Sequence, residues 1–118
     1  MAEFRFVVDV VEASGLATGR NEIIDIPLGT TFTTIKKCRV DGDPVHPRTV
    51  ELGVVADVRL TLKEVVFYGG SIDVVPGGHT AGLMVEGDGL SLLIDALQDA
   101  ADNEYVSLAA PVPSEATS

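Results

Sequence analysis

Residues 50–87, VELGVVADVRLTLKEVVFYGGSIDVVPGGHTAGLMVEG, decide the fold. Val50, Leu52, Val54, Ala56, Val58, Leu60 and Leu62 alternate without a break, and Asp57, Arg59, Thr61 and Lys63 fall between the later ones. Side chains along a strand point to opposite faces in turn, so the two sets are expected on opposite faces of one strand. The polar set begins only at Asp57, so around Val54 and Val55 the strand is expected to be buried on both faces or bent. After Leu62 the phase slips. Glu64 stands where an apolar residue is due, and Val65 and Phe67 take over. One extra residue there predicts a β-bulge, which bends a strand and helps a sheet to close. Tyr68-Gly69-Gly70-Ser71 reads as a turn, Ile72, Val74 and Val75 resume the strand pattern, and Pro76-Gly77-Gly78 interrupts it. Residues 80–86 read as a further strand ended by Gly87-Asp88-Gly89.

Upstream, Phe4, Phe6, Val8 and Val10 alternate with Glu3, Arg5, Val7 and Asp9, which predicts a first strand with one core face. Residues 12–21, with Ser14-Gly15 and Thr18-Gly19, read as a loop. Residues 22–26 read as a second strand ended by Pro27, and Leu28-Gly29 as a turn. Residues 30–40 read as a third strand anchored by Phe32 and Ile35. Asp41-Gly42-Asp43-Pro44 carries turn chemistry, and His46-Pro47-Arg48 continues that loop. Downstream the period changes: Leu90, Leu93, Ile94, Leu97 and Ala101 fall at helical spacing with Asp95, Gln98, Asp99 and Asp102 opposite. A helix of about three turns is expected, with Asp88 or Ser91 at the capping position, its stripe covering the open end of a barrel. Residues 105–108 read as a last strand. The expected organisation is one domain over residues 1–110 and a tail over residues 111–118. The fold class is all-β with one short helix, a small antiparallel β-barrel, a sandwich being the alternative.

The chain has 118 residues, 46% of them apolar, enough for one real core. No apolar run approaches a membrane span, and the N-terminal stretch lacks the pattern of a signal peptide. The single cysteine, Cys38, excludes an internal disulfide and fits a reducing cytoplasm. The net charge of −10 is unevenly placed. Residues 1–63 hold eight basic and nine acidic residues; residues 64–118 hold nine acidic and no basic ones. Phosphate backbones are held largely by Lys and Arg, so direct nucleic-acid binding is disfavoured, and a charged partner of the second half would be basic. The simpler account of the charge is a solvated acidic surface.

Val58-Arg59-Leu60-Thr61-Leu62, Phe67-Tyr68-Gly69-Gly70, Ile72-Asp73 and residues 76–87 carry a family resemblance. The second half resembles the β-barrel second domain of translational GTPases of the elongation factor Tu type. Gly78, Gly82, Leu83 and Gly87 fall on that family's G-x-x-x-G-L-x-x-x-G form, and residues 105–111 resemble its closing strand. The resemblance covers about half the chain and implies barrel geometry more than chemistry. It departs from the family in having no G-x-x-x-x-G-K-[ST], so no GTP binding or hydrolysis is expected. The family's contacts with transfer RNA do not carry over residue by residue.

Ser71, Asp73 and His79 are the residue types of a hydrolase triad, but neighbours on a turn rarely reach one another in that geometry, and polar loop residues are the simpler reading. Cys38, His46 and His79 lie at no metal-ligand spacing. Asp41-Gly42-Asp43 lacks the terminal Glu of a calcium loop. Lys36, Lys37 and Arg39 form the basic cluster, read as an exposed face that repels edge pairing. No catalytic, metal or cofactor site is expected. The expected function is a stand-alone, non-catalytic binding module that recognises a protein or small ligand. The alternative is an acidic inhibitor or immunity-type protein that neutralises a basic, nucleic-acid-acting partner; an enzyme ranks last. The expected binding surface is the rim made by Tyr68, Gly69, Gly70, Ser71, Asp73, Gly77, Gly78, His79 and Thr80, because glycine loops allow close backbone approach and Tyr68 supplies an aromatic anchor.

Overall fold

The computed structural model describes residues 3–22 and 24–112. In chain order the elements are β1 (Glu3–Val11), β2 (Leu16–Asn21), β3 (Ile26–Pro27), β4 (Thr31–Gly42), β5 (Pro47–Phe67), β6 (Gly70–Ile72), β7 (Val74–Val75), β8 (Thr80–Asp88), α1 (Leu90–Asp99) and β9 (Glu104–Pro111). The main sheet is antiparallel, in the order β4-β9-β1-β2-β8-β5-β6, and β4 also pairs with β5. The ladders therefore run round a ring of six strands, with β6 attached outside it and β3 paired with β7 apart. Phe4, Phe6, Val8, Phe32, Ile35, Leu60, Leu62, Leu83 and Leu108 point inward and form one core cluster.

The extra residue expected after Leu62 is present. Leu62 stands opposite Val85 and Glu64 opposite Met84, so Lys63 has no rung in the β5–β8 ladder. The β4–β5 ladder skips three times more, and each time the surplus residue lies on β5. This is how a strand of 21 residues pairs with one of 12 and still fits β8 along its far end. Each skip adds bend and twist, and Gly53, at φ 101, sits within the skipped region. The hairpin arm curls back over the outside of the ring, where Glu51 reaches Arg5 on β1 at 2.9 Å. The region around Val54 and Val55 is thus bent rather than buried on both faces. Leu52 is 41% and Val54 57% exposed, and the inward stripe of β5 is fully buried only at Leu60, Leu62 and Val65.

Three expected boundaries are corrected. Residues 16–21, expected as a loop, form β2 between β1 and β8. Their composition carries little strand preference, and pairing on both sides overrides it. A Cβ on Gly19 would fall on the carbonyl oxygen of Val7, so this loop-like glycine permits a close strand contact. The strand expected over residues 22–26 shrinks to β3, because the buried Asn21 turns the chain immediately after β2; Ile23 lies outside the described residues. The turn expected at residues 41–44 lies further on. Gly42 still pairs with Pro47, and the Asp43 carboxylate accepts from the backbone N–H groups of Val45 and His46, closing the loop there. Pro47 and Arg48 accordingly belong to β5.

The helix spans 10 residues and packs against β1, β5 and β9, with Leu93 and Ala96 buried and Leu90 and Leu97 against the core. Its N-cap is Gly89, at φ 105 and without a side-chain cap hydrogen bond, so neither Asp88 nor Ser91 serves. Ala101 lies beyond the C-cap, Ala100. The last turn has no basic residue, and Asp95 and Asp99 place like charges four residues apart near the negative end of the helix dipole. Asp99→Lys should raise the unfolding free energy by about 0.5–1 kcal/mol, read as a higher urea midpoint at unchanged slope. β9 reaches Pro111 opposite Glu3, and Val112 packs against the core, so the fold includes two residues of the expected tail. The rest of that tail, residues 113–118, lies outside the described residues. Among the described residues no helix is long and apolar enough to cross a membrane.

Candidate functional site

Two loops carry the expected rim. The first is the β5–β6 turn. Phe67 pairs with Gly70, leaving Tyr68 and Gly69 as a two-residue hairpin loop with φ 53 and φ 81. Positive φ at both central positions is the type I′ turn, whose twist matches that of the flanking strands. Gly69 suits it, whereas a tyrosine rarely adopts that conformation. The Tyr68 side chain is 90% exposed, and its ring stands edge-on to Phe67 with centroids 4.4 Å apart. The second loop joins β7 to β8 through Pro76-Gly77-Gly78-His79. Its His79 ring meets Phe67 edge-on at 5.7 Å, so Phe67 links the two loops.

Asn21 fastens this end of the ring. Its backbone N–H donates to His79 O at 3.0 Å, and its carbonyl accepts from Gly78 N–H at 2.7 Å. Its side-chain Nδ2 donates to Ile24 O at 2.7 Å and Val75 O at 2.8 Å. The residue is fully buried. Asp25 accepts from Gly77 N–H at 2.8 Å, and Leu28 N–H donates to Asp73 O at 2.9 Å. The β7–β8 loop and Asp73 are thus held by hydrogen bonds to Asn21, Asp25 and Leu28, whose role the sequence pattern did not reveal. A buried polar residue at the end of a strand was the available signal.

Phe67 brings Tyr68 and His79 to one place. Gly69 and Gly70 belong to the Tyr68 turn, and Gly77 and Gly78 to the His79 loop. Thr80 pairs with Arg20 on β2 and lines a groove on the outside of the ring. Ser71 and Asp73 make no hydrogen bond to His79 among the described residues. The Ser71 hydroxyl donates to the Glu64 carboxylate at 2.6 Å rather than to His79. No hydrogen bond links Ser71, Asp73 and His79 among the described residues, so they do not form a triad. Nor do three His, Cys, Asp or Glu side chains gather as metal ligands among the described residues. The basic cluster is matched by acids. Lys36 meets Glu3 at 3.0 Å, Lys37 meets Glu104 at 3.4 Å, and Arg39 meets Asp41 at 2.8 Å. The Arg39 hydrogen bond holds the Asp41 carboxyl below its usual range. The Ala101 backbone N–H does the same for Glu104, with Lys37 adding to it.

A second concavity lies on the outside of the ring, under the curled arm. This groove has a volume of about 480 Å³. Its floor includes Val7 and Tyr105, Val40 and Pro47 come from the arm, and Arg20 and Glu22 stand at its margin. Burial, and next the Glu51 charge, push the thiol of the groove-lining Cys38 up from its usual value.

The chain matches no protein-family model, no curated protein and no solved structure.

Proposed function

We propose that this protein is a non-catalytic binding module built on a barrel of the translation-factor type, and that it recognises a protein partner through the Tyr68 rim. One observation carries the reading: a large aromatic side chain held in solvent at a backbone conformation that disfavours it. A tyrosine in a left-handed turn opposes local stability, and such conformations gather where the displayed group has a use. Tyrosine is a favoured anchor of protein interfaces. The β7–β8 loop beside it is fixed by Asn21, so little ordering entropy of that loop opposes binding. Nucleic acid fits poorly, since five of the eight basic residues, Arg5, Arg20, Lys36, Lys37 and Arg39, engage carboxylates.

The test is capture of partner proteins by immobilised wild type, Tyr68→Ala and a control at the exposed Glu12, Glu12→Gln, with folding checked by thermal melting. Proteins held by wild type and by the control should be lost from the Tyr68 variant. Equal capture by a folded Tyr68→Ala would overturn the rim.

A second reading, neutralisation of a basic partner, draws on the exposed carboxylates of Glu86 and Asp88 at the end of β8, Asp95 and Asp99 on the helix, and Asp102 after it. It predicts capture that weakens steeply with salt, whereas recognition led by Tyr68 should change little with salt.

A further inference from the structure

We propose that the groove beneath the β4–β5 arm is a receptor for the side chain of an arginine or lysine on an extended segment of a protein partner. This goes beyond the rim reading and does not depend on Tyr68. The floor is a row across the outside of the sheet. Tyr105 and Cys38 are a cross-strand pair of β9 and β4, and Asp9, one residue past the last rung of the β1–β9 ladder at Val8 and Val106, lines the same groove as Tyr105. Asp9 is also the surplus residue where the β1–β2 ladder skips, Val8 facing Gly19 and Val10 facing Thr18. Bulges of this kind re-aim a side chain, here into the groove.

The charges select the occupant. Three charged side chains line the groove: Asp9, Arg20 and Glu22. Arg20 and Glu22 are engaged with each other at 3.0 Å, while Asp9 has no hydrogen-bond or ion-pair partner among the described residues. An entering anion would meet Asp9 with no unengaged cation to offset it. An entering cation finds the Asp9 carboxylate and, in the same groove, the half-exposed Tyr105 ring, whose face attracts guanidinium and ammonium groups. Val7, Val40 and Pro47 offer apolar surface to the methylene stem that precedes such a head group. The volume, about 480 Å³, lies within the usual range for ligand sites. The Arg5–Glu51 pair ties the arm to β1.

Cys38, the only cysteine in the chain, reports occupancy from inside the groove. Its alkylation by N-ethylmaleimide would be timed with millimolar N-acetyl Gly-Ser-Arg-Ser-Gly amide, and with the same peptide carrying citrulline, the neutral isostere, in place of arginine. The arginine peptide should slow alkylation and the citrulline peptide should not. Asp9→Asn should raise the peptide concentration needed for protection by about tenfold, the usual worth of a charge-assisted hydrogen bond. Glu12→Gln and Tyr68→Ala should protect as wild type does. Absence of protection by the arginine peptide, equal protection by citrulline, or undiminished protection in a folded Asp9→Asn would each overturn the proposal and leave the rim standing. Loss of partner capture in Tyr68→Ala with Cys38 protection intact would separate the two surfaces.

Discussion

Asn21→Ala should lower the unfolding free energy by about 2–4 kcal/mol, the summed worth of two side-chain hydrogen bonds and one stranded buried acceptor. The Asn21 amide is fully buried and donates to Ile24 O and Val75 O. Truncation removes both donors at once. Val75 is itself buried, so its carbonyl has little access to replacement water, and leaving a buried acceptor unpaired is costlier than losing one bond of an exposed pair. Asn21→Asp should be worse, because a carboxylate would face the carbonyl oxygens that the amide now serves. Urea denaturation measures both variants. Hydrogen exchange should show the damage concentrated at residues 75–80 and 24–28, with the β4–β9 ladder protected as before at concentrations where the variant stays folded. A variant as stable as wild type would mean that the rim loops are held by their own turns.

How much of this was legible in the sequence follows from where local pattern and tertiary demand agree. On the second half of β5 they agree. The alternation through Leu62, the phase slip at Lys63 and its resumption at Val65 mark both the face and the bulge, because β8 imposes one register there. On β2 they conflict. Leu-Ala-Thr-Gly-Arg-Asn has the composition of a loop, and only the strands on either side make it one of their number. Gly19, the strongest sign of a loop, is where the backbone of Val7 comes closest. The first half of β5 misleads in the opposite way. Val50, Leu52 and Val54 alternate as a core strand would, yet the three surplus residues against β4 carry the arm out of the ring. The rim was legible through its glycines and Tyr68, since turn chemistry is local. Its fastening through Asn21 was not, because the partners Val75 and His79 lie more than fifty residues away in sequence. The groove was hidden for the same reason. Asp9, Tyr105 and Cys38 come from three strands, and nothing in any one of them marks the row.

Tyr68→Asn should move stability and binding in opposite directions. Asparagine tolerates positive φ, and Asn-Gly is the favoured pair for a two-residue hairpin loop, so the Tyr68-Gly69 turn should gain about 0.5–1 kcal/mol from relief of the left-handed tyrosine. Loss of the edge contact between Tyr68 and Phe67 works against this by about 0.5 kcal/mol. The contact joins a ring that is 90% exposed to its own neighbour, so the turn term should prevail and the melting temperature should hold or rise. Binding should fall by about 2 kcal/mol, roughly thirtyfold in Kd, if Tyr68 is the anchor of the rim. The measurement is a melting curve together with titration of a partner captured by wild type but not by Tyr68→Ala. The sign pattern separates the accounts. If the rim serves only to turn the chain, asparagine improves the turn and leaves the partner untouched. If Tyr68 packs for stability, melting and binding fall together. Only a tyrosine kept for what it touches outside the molecule gives a protein that melts no lower and binds worse.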